Sequence, residues 1–75
     1  MHANALTEAI RRVVSGASLS ADQTTEAFDI IMRGDGEPSQ IGALLAALAL
    51  KGETAEEVAG GARALRNAML TFDDH

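Results

Sequence analysis

Residues 38–52, PSQIGALLAALALKG, form the most informative stretch of the sequence, because the middle of this stretch has no polar side chain. Residues 41–50 are all glycine, alanine, leucine or isoleucine, so a helix here is apolar on every side. Pro38 suits the first helical turn, where the amide hydrogen that proline lacks has no helical partner. Gly52 suits the end of the helix. A helix that is apolar all round must be covered all round, so this segment predicts further helices packed against it.

Capping boxes predict where two further helices begin. The Ser20 hydroxyl can accept a hydrogen bond from the amide of Gln23, whose side chain can reach back to the amide of Ser20. Thr54 and Glu57 repeat this arrangement before the last segment. The glycines that follow the first three segments predict helix ends, and they are Gly16, Gly34 and Gly52.

Each of the three remaining segments has one apolar stripe at helical spacing, which we predict to be buried. The stripes are Leu6, Ile10, Val13 and Val14; Ala27, Phe28 and Ile31, with Met32 at the edge; and Val58, Ala62, Leu65 and Met69. The pattern stops after Met69, so residues 70–72 are predicted to begin a strand or a linker. The sequence therefore predicts one all-α domain over residues 1–75, with a small four-helix, orthogonal or bundle-like fold. Its helices are predicted near residues 5–15, 21–33, 38–51 and 55–69.

The fourth segment contains Gly60 and Gly61 in its interior, where each glycine costs about 1 kcal/mol relative to alanine. Two adjacent glycines in a helix indicate that another element approaches the backbone closely, and a local kink is the alternative interpretation. A glycine pair inside a helix is not the context for binding phosphate, which uses the amides at a helix N-terminus.

Composition excludes several classes of function. The chain has 75 residues, of which 11 are acidic and 6 basic, a net charge of −5 and no cysteine. It is too short for the core of a cofactor-binding α/β enzyme, and its scattered basic residues argue against nucleic-acid binding. No apolar run approaches the ~20 residues that span a bilayer. We therefore expect no nucleic-acid or membrane partner and a soluble, cytoplasmic protein.

No group of residues predicts catalysis or metal binding. The two histidines, His2 and His75, stand at the chain ends, and no serine, threonine or carboxylate has a nearby base and orienting partner. The carboxylates most open to a metal interpretation lack the spacing of a calcium loop, and they are Asp22, Asp29, Asp35 and Glu37. We predict no catalytic residue, no metal site and no cofactor in this chain.

Five runs of residues, in this order and spacing, indicate a family. They are Leu6, Gly16 and Leu19-Ser20; Ile31-Met32-Arg33-Gly34; Pro38-Ser39-Gln40-Ile41-Gly42-Ala43-Leu44-Leu45 with Ala47-Leu48; Lys51-Gly52-Glu53-Thr54-Ala55-Glu56-Glu57; and Ala59-Gly60-Gly61-Ala62-Arg63-Ala64-Leu65-Arg66. Over residues 5–69 the chain resembles the N-terminal helical domain of the glycosyltransferase family that contains anthranilate phosphoribosyltransferase and the pyrimidine nucleoside phosphorylases. The run from Lys51 to Thr54 is more similar to the anthranilate enzyme, since the nucleoside phosphorylases usually have Gly-Met-Thr there.

The resemblance implies that this helical domain packs against a larger α/β domain. In the family, the α/β domain binds phosphoribosyl pyrophosphate and magnesium, beginning with a Gly-Thr-Gly-Gly-Asp turn that no residue of this chain matches. The resemblance therefore implies a piece of a transferase that joins phosphoribose to anthranilate in tryptophan biosynthesis, with the catalytic domain and its magnesium outside this chain. It also implies two further helices from later in a longer chain, whose absence should expose the Gly60–Gly61 face.

The resemblance also implies a homodimer formed through the first and third helices, and the residues of these helices favour the same contact. Gly42, Ala46 and Ala49 lie on a flank of the third helix that the rest of the chain hardly covers, so a partner helix can approach closely. A two-fold contact uses the same patch twice. The predicted dimer interface comprises Leu6, Ile10, Val13, Val14, Gly42, Leu45, Ala46 and Ala49.

Two other interpretations start from the same four helices. A free-standing interaction module would share the fold without any transferase, and a reading frame that continues into Gly-Thr-Gly-Gly-Asp would separate it from the family interpretation. An acyl carrier protein is also a short acidic helical chain, but it needs Asp-Ser-Leu at the start of its second helix. That helix begins Ser20-Ala21-Asp22-Gln23 here, so the sequence argues against a carrier.

Overall fold

A computed structural model describes the backbone of residues 4–73 and the side chains of residues 4–70. The described residues form four α-helices and no strand, so the predicted all-α fold is confirmed. The helices are α1 (Ala5–Val14), α2 (Ala21–Met32), α3 (Pro38–Lys51) and α4 (Ala55–Asp73). The prediction of a strand or linker after Met69 is wrong, because α4 continues to Asp73 through residues that include no glycine or proline.

Side chains close the starts of α2 and α4 as the sequence predicted. The amide of Gln23 donates to the Ser20 hydroxyl at 3.0 Å, and the amide of Ser20 donates to Gln23 Oε1 at 2.9 Å. The amide of Glu57 donates to Thr54 Oγ1 at 3.1 Å, and the amide of Thr54 donates to Glu57 Oε1 at 2.9 Å. Both predicted capping boxes are confirmed.

Gly16 ends α1 in the left-handed backbone conformation, with a φ of 93°. The amide of Gly16 donates to the carbonyl of Val13, and the amide of Ala17 donates to the carbonyl of Arg12, both at 2.9 Å. This pair of bonds is the Schellman arrangement, which favours glycine because a β-carbon is strained at positive φ. The sequence prediction of a helix end at Gly16 is confirmed.

The helices form a thin layer of 41 × 31 × 17 Å. Within it α3 packs on α1, α1 packs on α2, and α2 packs on α4. The aliphatic core lies mainly among the first three helices, and α4 covers the side of α2 that faces away from α1. The buried core residues are Leu6, Ala9, Val13, Leu19, Ala27, Ile30, Leu44 and Leu48.

The face that α4 turns to the bundle differs from its apolar stripe. Val58, Leu65 and Met69 are each at least half exposed, so the prediction that this stripe is buried is wrong. The residues that α4 buries are Glu57, Gly60 and Ala64. Two of these three residues are small, which allows α2 to come close to the α4 backbone.

Gly60 marks the closest approach between α2 and α4. A β-carbon at this position would lie 2.5 Å from the carbonyl oxygen of Ala21 and 2.6 Å from the β-carbon of Thr24. The Thr25 hydroxyl also lies within hydrogen-bond distance, 3.1 Å, of the Gly60 carbonyl. The predicted close approach is confirmed at Gly60, which is buried rather than exposed. At Gly61 a β-carbon would meet nothing within 4 Å.

Candidate functional site

Exposed apolar side chains on α1 and α3 form the first candidate site. Val14 is 68% exposed and Leu50 is 89% exposed, and both line one shallow depression together with Ala47. The outward side of α3 adds further exposed apolar residues, most of them small. We call this patch the α1–α3 surface, and it comprises Val14, Gly42, Leu45, Ala46, Ala49 and Leu50.

The eight residues predicted for a dimer interface fall into three groups. Leu6 and Val13 lie in the core of the chain itself, so their side chains are covered without any partner. Ile10 is half-buried against that core. The remaining five belong to the α1–α3 surface, and they are Val14, Gly42, Leu45, Ala46 and Ala49.

Leu50 is the surface residue that the sequence interpretation missed. It is the last apolar residue before Lys51, and it lies beside Val14 at the ends of the two helices. A signal was present, because Leu50 follows Ala46 by four positions and therefore stands on the same side of α3.

A second apolar site runs along the outer side of α4. Two shallow depressions meet at Ala62 and Leu65, which line both of them. Phe28 of α2 and Leu48 of α3 form one wall at the N-terminal end. We call this site the α4 groove, and its uncharged α4 residues are Val58, Gly61, Ala62, Leu65, Met69 and Leu70.

Between the two apolar sites lies a buried polar cluster centred on the Glu57 carboxylate. Lys51 Nζ donates to Glu57 Oε1 at 2.9 Å, and the amide of Leu19 donates to Glu57 Oε2 at 2.8 Å. The amide of Thr54 donates to the same Oε1 through the capping box. We call these four residues the Glu57 junction. It joins the end of α3, the connection before α2 and the start of α4.

The sequence profile of the helical bundle domain of the glycosyl transferase family matches residues 7–69. The chain belongs to this family. The resemblance stated from the sequence is therefore confirmed, and the two surfaces and the Glu57 junction are features of a glycosyl transferase helical bundle domain.

Relatives of this helical bundle domain are much longer proteins. The anthranilate phosphoribosyltransferase of Bradyrhizobium diazoefficiens is 50% identical over 62 residues, which are 83% of this chain and 18% of that enzyme. The anthranilate phosphoribosyltransferase of Paramagnetospirillum magneticum is 50% identical over 66 residues, which are 88% of this chain and 19% of that enzyme. The chain thus spans less than a fifth of the length of these relatives. No solved structure shows significant similarity to it.

Opposing effects act on the pKa of Glu57 in this helical bundle domain. Burial of the carboxyl group raises the pKa, whereas the hydrogen bonds from Lys51, Leu19 and Thr54 and the charge of Lys51 lower it. The lowering effects prevail, so the pKa of Glu57 lies below the 4.5 of an unperturbed glutamate. Glu57 is therefore ionised at neutral pH and paired with Lys51.

Acidification is expected to weaken the domain through Glu57. The unfolded chain binds a proton at this residue more readily than the folded chain, so the free energy of unfolding falls as pH drops from 4.5 through the lowered pKa. In Glu57→Gln this titration is absent, and Lys51 is left without its charge partner at a cost of roughly 3 kcal/mol at neutral pH. Urea unfolding at pH 7 and pH 3 should show a difference between wild type and variant that shrinks at low pH.

The exposed Glu53 provides the control for this titration. Glu53→Gln removes the same charge at the surface of the connection between α3 and α4, and it should change the free energy of unfolding little at either pH. A difference between wild type and Glu57→Gln that stays constant from pH 7 to pH 3 would contradict the lowered pKa.

The carboxylates considered for metal binding are dispersed in the fold. Asp22 pairs with Arg63 at 2.7 Å, and Asp35 pairs with Arg33 at 3.4 Å. Among the side chains of residues 4–70, no three acidic groups come together in an arrangement that could hold a metal ion. His2 and His75 lie outside the described residues. None of the helices in the described range has the length and apolar character needed to cross a membrane.

Proposed function

We propose that this chain is the N-terminal helical domain of an anthranilate phosphoribosyltransferase, which transfers phosphoribose from phosphoribosyl pyrophosphate to anthranilate in tryptophan biosynthesis. The observation that carries the proposal is the 50% identity to the Bradyrhizobium diazoefficiens enzyme over 83% of this chain. We assign the chemistry, including magnesium and phosphoribosyl pyrophosphate binding, to an α/β domain outside these residues. The absence of cysteine fits a reducing compartment, and we propose that the protein acts in the cytoplasm.

Within such an enzyme, we propose that the domain joins two subunits through the α1–α3 surface. The surface is apolar and centred on small residues, so α3 can pack closely against its two-fold mate. Val14 and Leu50 extend the contact at one end, where their exposed side chains leave water on association. The α4 groove is a separate apolar site, and we propose that the remaining part of the longer protein covers it.

The chain alone is expected to be catalytically silent. A phosphate site needs converging donors, but four of the six basic side chains already pair with carboxylates. These four are Arg11, Arg33, Lys51 and Arg63. Calorimetry with phosphoribosyl pyrophosphate and magnesium should show no binding at micromolar concentration, and no phosphoribosyl anthranilate should form. Micromolar binding by the isolated chain would contradict the assignment of chemistry to another domain.

A chimera tests the proposed identity. The matching region of the Bradyrhizobium diazoefficiens enzyme is replaced by residues 7–69 of this chain. We expect a dimeric enzyme that retains activity, because half of the matched positions are already identical. A folded but monomeric and inactive chimera would favour the alternative, a free-standing interaction module without transferase activity.

A further inference from the structure

The helices pack in the order α3, α1, α2 and α4, so they divide into an α1–α3 pair and an α2–α4 pair. The packing of α3 on α1 forms the α1–α3 surface, and the packing of α4 on α2 supports the α4 groove. The two pairs meet where α1 packs on α2, whereas α3 and α4 share no comparable packing contact within residues 4–73. Apolar packing therefore joins the pairs mainly along a single seam.

The Glu57 junction bridges the pairs away from that seam. Lys51 is the last residue of α3, and Glu57 lies in the first turn of α4 on the other pair. Their charged atoms are 2.9 Å apart. Leu19 adds the connection between α1 and α2 through its 2.8 Å bond to the same carboxylate. One carboxylate thus contacts chain segments that belong to both pairs.

We propose that Lys51 and Glu57 act as a clamp that fixes the α1–α3 pair against the α2–α4 pair, so that the α1–α3 surface and the α4 groove keep one relative orientation. Only Gly52 and Glu53 lie between Lys51 and the Thr54 cap. Gly52 has a φ of 92°, a conformation that glycine enters and leaves easily, so this connection does not fix the pairs by itself. The clamp supplies the restraint.

Burial makes the clamp specific. The side chain of Glu57 is 1% exposed and that of Lys51 is 12% exposed. Removing one partner leaves the other charge buried without its counter-charge, which is strongly unfavourable unless the surrounding elements move to admit water. Movement of the two pairs relative to each other is the direct way to admit it.

The clamp is a property of the described chain. Its consequence for a longer protein rests on the proposed function: it would hold the subunit contact at a fixed angle to the part of the protein that covers the α4 groove. Measurements on the chain alone test the clamp, whereas the chimera tests the proposed function.

Distances between spin labels test the clamp directly. The chain has no cysteine, so spin labels attach only at two introduced cysteines. Labels at Ser39→Cys on α3 and Ala59→Cys on α4 measure a distance between the two helix pairs. Labels at Glu26→Cys on α2 and Ala59→Cys on α4 measure a distance within the α2–α4 pair. All three positions are exposed. Labelled chain is diluted in unlabelled chain to exclude distances between subunits. In Lys51→Met the 39–59 distribution should broaden about two-fold, because the pairs then tilt more freely about the contact between α1 and α2, while the 26–59 distribution stays unchanged.

Arg11→Met is the matched control, since it removes a basic side chain from the exposed ion pair with Glu8. It should leave both distributions unchanged. A Lys51→Met chain with full helicity and an unchanged 39–59 distribution would overturn the clamp. If Lys51→Met does not fold, Glu57→Gln, which keeps a carbonyl acceptor, is judged by the same criterion. Hydrogen exchange of the wild-type chain adds a test that needs no variant: Leu19 and Thr54 amides that exchange much faster than core amides would also overturn it.

Discussion

Replacing Ala46 with glutamate is expected to convert the proposed dimer into a folded monomer. Ala46 is exposed on α3, so the new carboxylate is solvated in the monomer and the helix is retained. In a two-fold contact the substitution places two charges in an apolar interface, where each unpaired charge costs several kcal/mol. Since ~1.4 kcal/mol is a factor of ten, the dissociation constant should rise by roughly a thousandfold or more.

Sedimentation and circular dichroism together measure this effect. Ala59→Glu is the matched control, because Ala59 is exposed on α4 and belongs neither to the α1–α3 surface nor to the α4 groove. It should leave both mass and helicity unchanged. A wild-type chain that stays monomeric at high micromolar concentration with full helicity would show that the dimer proposal is wrong. An Ala46→Glu chain that remains dimeric would exclude this surface as the contact.

Replacing Gly60 with alanine is expected to destabilise the chain by about 2 kcal/mol or more. The added methyl group would stand 2.5 Å from the backbone oxygen of Ala21, and a backbone atom within a helix cannot move aside alone. The α2 and α4 helices must therefore separate, which weakens the contact that holds α4 in place. Higher helix propensity returns about 1 kcal/mol and reduces the net loss only in part.

The adjacent glycine provides a control with the opposite sign. A methyl group at Gly61 would meet nothing within 4 Å, so Gly61→Ala should raise the free energy of unfolding by about 0.5–1 kcal/mol through helix propensity alone. Urea unfolding of both variants measures the difference. Equal shifts of the same sign would contradict the close approach of α2 at Gly60.

Local chemistry allowed the sequence to predict the starts of α2 and α4 and the end of α1. The boxes at Ser20 and Thr54 and the glycine at Gly16 act within a few residues, so their effect does not depend on where the other helices lie. The family could also be identified from the sequence, because the resemblance depends on the order of short runs of residues and not on how the helices pack.

The orientation of α4 could not be predicted, because it depends on how closely α2 approaches. Hydrophobic periodicity favoured the face with Val58 and Leu65, and that face is exposed in this chain. The buried face instead contains Gly60 and Ala64, whose small side chains permit close backbone contact rather than large apolar burial. A periodic pattern shows that a face avoids water, but it does not specify which partner covers that face.

The role of Glu57 was only half predictable. Its box with Thr54 follows from a spacing of three residues, whereas its bonds to Lys51 and Leu19 depend on the packed fold. For the α1–α3 surface, the exposed small residues of α3 were predictable from an all-apolar run. The sequence could not show that Leu6 and Val13 are buried while Val14 is exposed, because all three belong to the same apolar stripe of α1.

The hydrogen bond between the Leu19 amide and the Glu57 carboxylate limits when the helices can pack together during synthesis on the ribosome. These residues are separated by 38 positions, and the two buried threonines of α2 likewise lie against Gly60 of α4. A nascent chain that ends before residue 57 exposes α1, α2 and α3 without the element that completes them. The four described helices therefore close only after the first turn of α4 has left the exit tunnel, and α4 joins after α1, α2 and α3.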